Sequence, residues 1–256
     1  MNLVTQLPRH PSRRDILNDN GSLEIVSPIR LLKIDASPRG SKSNSIALTD
    51  AFVTAYRDAV PSVTVDVMNV WDERLPEFDN AAIDAKYKGV AGSAMNEAET
   101  AVWDRIQALV ARFKRADRIV LGVPMWNFAY PYKLKQLIDL VSQRNMLFTF
   151  DGERFGPLLQ TPRAMVIYTR GQEYREDLPT PPSRFDHQSS YVEFWLHFIG
   201  VQDVRALAVE NTWGDKAEAS MRAAREKVAA LAKDFLTMPV KRSTNSPLTL
   251  RESETI

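Results

Sequence analysis

The chain is expected to be an α/β protein: a doubly wound, five-stranded parallel sheet with helices on both faces. Three observations predict this. Short apolar runs alternate with helix-length amphipathic segments along most of the sequence. Several runs are nearly continuous rather than strictly alternating, as in strands covered on both faces. Strand–helix alternation carried through the chain implies right-handed crossovers between parallel neighbours.

Taken in order, the first run is IRLLKI at 29–34, followed by a helical segment over about 43–59. The second, VTVDV at 63–67, leads into a long connection at 72–96 and a helical pattern over 97–116. RIVLGV at 118–123 is the third run, and a helix is expected over 131–146, where Leu134, Leu137, Ile138 and Val141 share one face. AMVIY at 164–168 is the fourth, followed by a second long connection at 171–188 and a helix over 189–200. VRALAV at 204–209 and a helix over 215–236 close the set. Five strands favour the flavodoxin-like order 2-1-3-4-5 over the six-stranded dinucleotide-binding fold.

The 256 residues, 44% apolar and 25% charged, suffice for one substantial core. No Pro/Ser-rich linker divides the middle, so one domain is expected over 28–238, with an N-terminal arm at 1–27 and a mobile C-terminal tail at 239–256. A formal net charge of +1 gives no reason to expect nucleic acid or an anionic membrane as partner. No apolar run approaches the roughly 20 residues that span a bilayer, and the arm lacks the apolar core of a secretory signal. The absence of cysteine excludes disulfides and thiolate chemistry and fits a cytoplasmic location.

Ligands in such sheets bind at the carboxyl ends of the strands, near the switch point between strands 1 and 3. The loop after strand 1 is DASPRGSKSNS, at 35–45, where Ser37, Ser43, Asn44 and Ser45 meet an expected helix N-terminus. Unpaired N–H groups, a partial positive charge and hydroxyl donors suit a phosphate there. A simple serine cap is the other reading. Neither G-x-G-x-x-G nor G-x-x-x-x-G-K-[ST] occurs, which disfavours a pyrophosphate-bound dinucleotide or a P-loop nucleotide and leaves a single terminal phosphate as the better candidate.

After strand 3 come Pro124, Met125, Trp126, Asn127 and Phe128. Flat and polarizable apolar surface beside an amide suits the faces and heteroatom edge of an isoalloxazine ring. Folding back into the core is the competing use. After strand 4, Thr169, Arg170, Gly171 and Gln172 offer a glycine for close approach and polar groups for the crevice. Of the three histidines, His10 lies in the arm, His187 in the second long loop and His197 on an aromatic helix, and none is spaced to activate a serine. No G-x-S-x-G elbow supports a hydrolase.

Together these loops resemble the FMN-dependent NADH:quinone oxidoreductase and azoreductase family. The P-M-W-N-F element with its proline-linked helix, Ser37 with the Ser43-Asn44-Ser45 triplet, Leu75-Pro76-Glu77-Phe78, and YVEFWLHFIG at 191–200 carry the resemblance, which spans most of 29–236. Gln172 stands where the family often has a second glycine, and Tyr174 where a histidine is common. The resemblance implies a flavodoxin-like homodimer with one FMN per subunit and active sites completed at the interface. It also implies NADH or NADPH as donor and a small quinone or azo acceptor, reduced by two-electron ping-pong transfer. The flavin would carry the chemistry, so no catalytic side chain is named. Phe128, Phe148, Phe150, Tyr174 and the 171–188 loop are the candidates to shape the acceptor pocket. Tyr191, Phe194, Trp195 and Phe198 share a helical face, for core packing or dimer contact. The alternatives are a flavodoxin-type electron carrier, which a near-neutral chain with two long loops fits poorly, and a non-catalytic FMN-binding protein.

Overall fold

Alternation along Arg30–Asp35 (β1) sends Leu32 and Ile34 to one side of a sheet, and Leu31 to the other together with Lys33 and Asp35. In the computed structural model, which describes residues 28–161 and 163–237 together with 15–17 and 23–25, β1 pairs in parallel with two strands. These are Thr64–Asn69 (β2) and Arg118–Pro124 (β3). Arg163–Thr169 (β4) and Asp203–Val209 (β5) extend the sheet to the order β2-β1-β3-β4-β5, the predicted 2-1-3-4-5 arrangement. Every residue of β4 is buried, which is why its sequence is an apolar run rather than an alternation.

Helices α1 (Asn44–Ala59) and α6 (Ala217–Thr237) cover one face, over Leu31, Val120, Met165 and Ile167. The other face carries α2 (Asn80–Ala91), α3 (Glu97–Arg115), α4 (Tyr132–Val141) and α5 (Ser189–Ile199). On α3 the Trp103, Ile106, Val110 and Phe113 stripe is buried, and Asn96 with Glu99 closes a capping box at its start. Among the described residues no helix is long and apolar enough to cross a membrane.

Several connections depart from expectation. The 72–96 segment, read as a loop, contains α2: Asp79 caps it by accepting from Ala82 N at 3.1 Å, and left-handed Gly92 ends it at φ 67°. Its buried positions are the small Ala82 and Ala85, which leave little hydrophobic signal. Helix α4 stops at Val141, short of the predicted 146, because Gln143 Nε2 donates to the Asp139 and Leu140 carbonyls. Phe148–Phe150 and Phe155–Pro157 form an antiparallel hairpin around Asp151-Gly152. The expected arm lies largely outside the described residues, within which Asp15–Leu17 pairs with Leu23–Ile25. The expected tail lies outside them altogether.

Candidate active site

The loops after all five strands are joined side by side by main-chain bonds. Ala36 N donates to Gly122 O at 3.0 Å, Met125 N to Thr169 O at 2.9 Å, and Arg170 N to Val209 O at 2.9 Å. Val70 N donates to Asp35 O, and Thr212 N to Arg170 O, each at 3.0 Å. The carboxyl edge is therefore one continuous surface built on backbone.

At its centre α1 begins. Ser43 caps the helix, its Oγ accepting from Ile46 N at 3.4 Å and lying 3.1 Å from Ser45 Oγ. Ser37, Ser43 and Ser45 are all buried, while Asn44 is half-buried and donates Nδ2 to Thr212 O at 3.2 Å. Among the described residues the N–H groups of Asn44 and Ser45 donate to nothing, as the first turn of a helix leaves them. Free amides, serine hydroxyls and the positive helix end form a cradle whose donor set matches a phosphate, with Arg39 and Lys42 exposed on the preceding turn. Serine capping and phosphate binding are thus compatible uses of one feature.

The cradle is packed hard onto β3. A Cβ on Gly122 would sit 2.9 Å from Thr49 Cγ2 and 3.0 Å from Ser45 O, so only glycine lets α1 approach this closely. Below it, Lys33 Nζ lies 2.5 Å from Asp35 Oδ2 and 2.9 Å from Asp50 Oδ1, and Thr49 Oγ1 donates to Asp35 Oδ1 at 3.1 Å. Burial pushes the Asp35 carboxyl above its ordinary value, against the pull of Lys33.

Beside the cradle, Trp126 N donates to Ala129 O and Ala129 N to Trp126 O, at 2.8 and 2.9 Å. This closes a two-residue hairpin with both central residues at positive φ, Asn127 at 48° and Phe128 at 69°, the type I′ pattern. Asparagine tolerates that region, whereas phenylalanine pays a steric penalty of roughly 1–2 kcal/mol. The turn leaves the Asn127 and Phe128 N–H groups without acceptors among the described residues. Both side chains are exposed, Phe128 to 41%, so they have not folded back as core. Pro124, Met125 and Trp126 are half-buried beneath them. Replacing Phe128 by glycine should give a protein more stable than the alanine variant by about 1 kcal/mol, inverting the usual order, because both lose the ring and only glycine relieves the left-handed strain. Urea unfolding of the two variants checks this.

The loop after β4 is arranged differently from the expectation that its polar groups face the crevice. Thr169 is buried, and Gly171 and Gln172 are exposed at the edge. Arg170, however, turns its guanidinium inward. Its Nη2 lies 2.5 Å from Asp186 Oδ2, Nε donates to Gln188 Oε1 at 3.1 Å, and Nη1 is 3.4 Å from Glu210. Tyr174 lies against it, ring centre 5.5 Å from the guanidinium carbon. Burial raises the Tyr174 phenol above its ordinary value, against the pull of the Arg170 charge.

Contacts that sequence reasoning missed also shape the edge. Trp71, two residues beyond β2, donates Nε1 to Ala36 O at 3.0 Å and packs on Trp126 and Tyr132 at 5.7 and 5.2 Å. It ties the cradle to the aromatic turn. Trp213, 78% exposed, follows the Thr212 anchor next to Gly171. Phe185 packs against Phe128 with ring centres 5.2 Å apart and planes tilted, and the Phe128 carbonyl accepts from His187 N at 3.0 Å. Phe150 is not brought to this edge within the chain; its ring contacts are Phe155 and Arg144 on the hairpin side. His197 Nδ1 is 3.0 Å from Val201 O, and His10 lies outside the described residues.

Comparison with known proteins fits this geometry. A family model described as the flavodoxin-like fold matches residues 30–232. An FMN-dependent NADH:quinone oxidoreductase of Burkholderia lata is 58% identical over 207 residues, which is 81% of this chain and 100% of that protein. One from Pseudomonas fluorescens is 42% identical over 209 residues, 80% of this chain and 97% of that protein. Among solved structures, an azoreductase from Bacillus anthracis has a TM-score of 0.74 at 26% identity, covering 81% of this chain and 100% of that one. With the strand order, the serine cradle and the aromatic turn in place, the chain belongs to the FMN-dependent NADH:quinone oxidoreductase family on the flavodoxin-like fold.

Proposed function

We propose that this protein is an FMN-dependent oxidoreductase that takes two electrons from NADH and gives them to a quinone or azo acceptor. The observation that carries the reading is the convergence of two sets of free amides on one sheet edge, those of Asn44 and Ser45 with buried serines, and those of Asn127 and Phe128 beside exposed aromatics. The first set suits the FMN phosphate and the second the polar edge of its ring. Bound FMN would supply the redox chemistry, for the balance NADH + H⁺ + quinone → NAD⁺ + hydroquinone. The chain's own part is to hold the phosphate, orient the ring on Trp126 and Phe128, and set backbone N–H groups where negative charge develops on reduction. Donor and acceptor would use the same exposed face in turn, giving ping-pong kinetics.

The aromatic surface on the hairpin side supports a homodimer. Tyr130, Tyr191, Phe194, Phe198 and Phe148 form a continuous aromatic chain, with successive ring centres 5.0–6.4 Å apart. Phe194 in that chain is 52% exposed and Phe155, stacked on Phe150, is 51% exposed. A second copy would cover this surface and bring Phe150 to its neighbour's acceptor site. Trp195, by contrast, is buried core against Phe113.

The test is a visible spectrum of the purified protein incubated with FMN, then exposed to NADH without oxygen and to benzoquinone. Flavin absorption, bleaching by NADH and return with benzoquinone are expected. A protein that retains no FMN overturns the reading, while one that binds FMN but is not bleached is a carrier or binding module.

A further inference from the structure

The 171–188 loop is not a loose excursion. Glu176 accepts from Ser183 N at 3.0 Å and from Ser183 Oγ at 2.7 Å, and Thr180 Oγ1 donates to Glu173 O at 3.4 Å, so the loop is bonded across itself. Its final residues are fastened to the neighbouring strands and to the aromatic turn. Fully buried Gln188 donates Nε2 to Val123 O at 2.9 Å while its Oε1 accepts from Arg170. Asp186 pairs with Arg170 and accepts from Ser189 N at 2.9 Å and Ser189 Oγ at 2.6 Å. His187 N reaches the Phe128 carbonyl. A one-turn helix, Pro182–Phe185, thereby ends with the half-buried Phe185 ring tilted 59° against Phe128.

We infer that Phe185, fixed by this latch, is a specificity-determining residue that extends the aromatic wall beyond Phe128 and selects fused-ring, planar acceptors. The inference rests on the reading of the edge as a flavin and acceptor site. Phe128 belongs to the turn that suits the flavin ring, and the half-buried Phe185 ring packs beside it at 5.2 Å between ring centres. A single-ring acceptor needs only the flavin face. A fused two-ring acceptor extends past it and gains a second aromatic contact, in offset or edge-to-face geometry. Because the latch is buried and polar, the wall is positioned before any acceptor arrives, and little ordering entropy is lost on binding.

The experiment compares naphthoquinone with benzoquinone in steady state, using the FMN-loaded wild type, Phe185→Ala and Phe185→Tyr. Phe185→Ala is expected to lower kcat/KM for naphthoquinone by about three- to tenfold, the worth of one aromatic contact. Benzoquinone turnover, the anaerobic rate of bleaching by NADH and FMN affinity should stay within twofold. Phe185→Tyr, which keeps the ring, should restore naphthoquinone turnover. Equal losses for both quinones, or no loss for either, overturn the inference while leaving the flavin reading intact. A wild type that reduces neither quinone overturns both.

Discussion

Replacing Ser43 and Ser45 together by alanine is expected to weaken FMN binding by on the order of 10²- to 10⁴-fold, since each hydrogen bond to a charged group contributes roughly 1.5–3 kcal/mol. Both side chains are buried at the first turn of α1, with their oxygens 3.1 Å apart, close enough to serve one phosphate together. The informative control is riboflavin, which has the ring without the phosphate. Its affinity should be the same for wild type and double variant, because the aromatic turn at 126–129 is untouched. Fluorescence titration of both flavins checks this. Loss of the Ser43 cap will also destabilise α1 by about 1 kcal/mol, so the comparison belongs at a temperature where both proteins are fully folded. An equal fall in FMN and riboflavin affinity would mean that the serines act through the fold and not through phosphate.

That control also separates what was readable in the chain from what was not. The serine cradle and the aromatic turn act through main-chain groups and immediate neighbours, so a contiguous stretch of sequence carries their chemistry: a cap preference, a Pro–aromatic loop, a following amphipathic helix. The five strands were legible for the same reason, because burial on both faces writes itself as a run of apolar residues. Trp71 and Phe185 were not legible as site residues, since their placement depends on where distant segments dock. Trp71 carried one usable signal: a large aromatic two residues after a strand, at the edge where ligands bind. Helix α2 was hidden by alanine, which gives a strong helix propensity but little hydrophobic contrast. Arg170 shows a third kind of limit. Its position at a strand end was visible, but the direction of its charge depends on Asp186, 16 residues later, and on Glu210.

Because Arg170 points inward, Asp186→Asn should be among the most damaging single changes in this region. The two side chains are 5% and 13% exposed, and asparagine leaves the guanidinium buried with Glu210 at 3.4 Å as its remaining ionic partner. Removing one member of a buried pair typically destabilises by about 3–5 kcal/mol. Burial alone would raise the Asp186 carboxyl, but hydrogen bonds from Ser189 and the Arg170 charge outweigh it and hold the group below its ordinary range. The sign of the pH dependence follows: the folded state favours the ionised form, so its contribution is complete above the unfolded value of about 3.9 and is lost as pH falls through the depressed folded value. Urea unfolding should therefore show a constant gap between wild type and Asp186→Asn from pH 8 to about pH 5, narrowing below about pH 4. A variant as stable as wild type at pH 7 would mean that desolvation cancels the ion pair. The 171–188 loop would then owe its position to Gln188 and its bond to the Val123 carbonyl, because that contact crosses from the end of the loop to β3 without involving a charge.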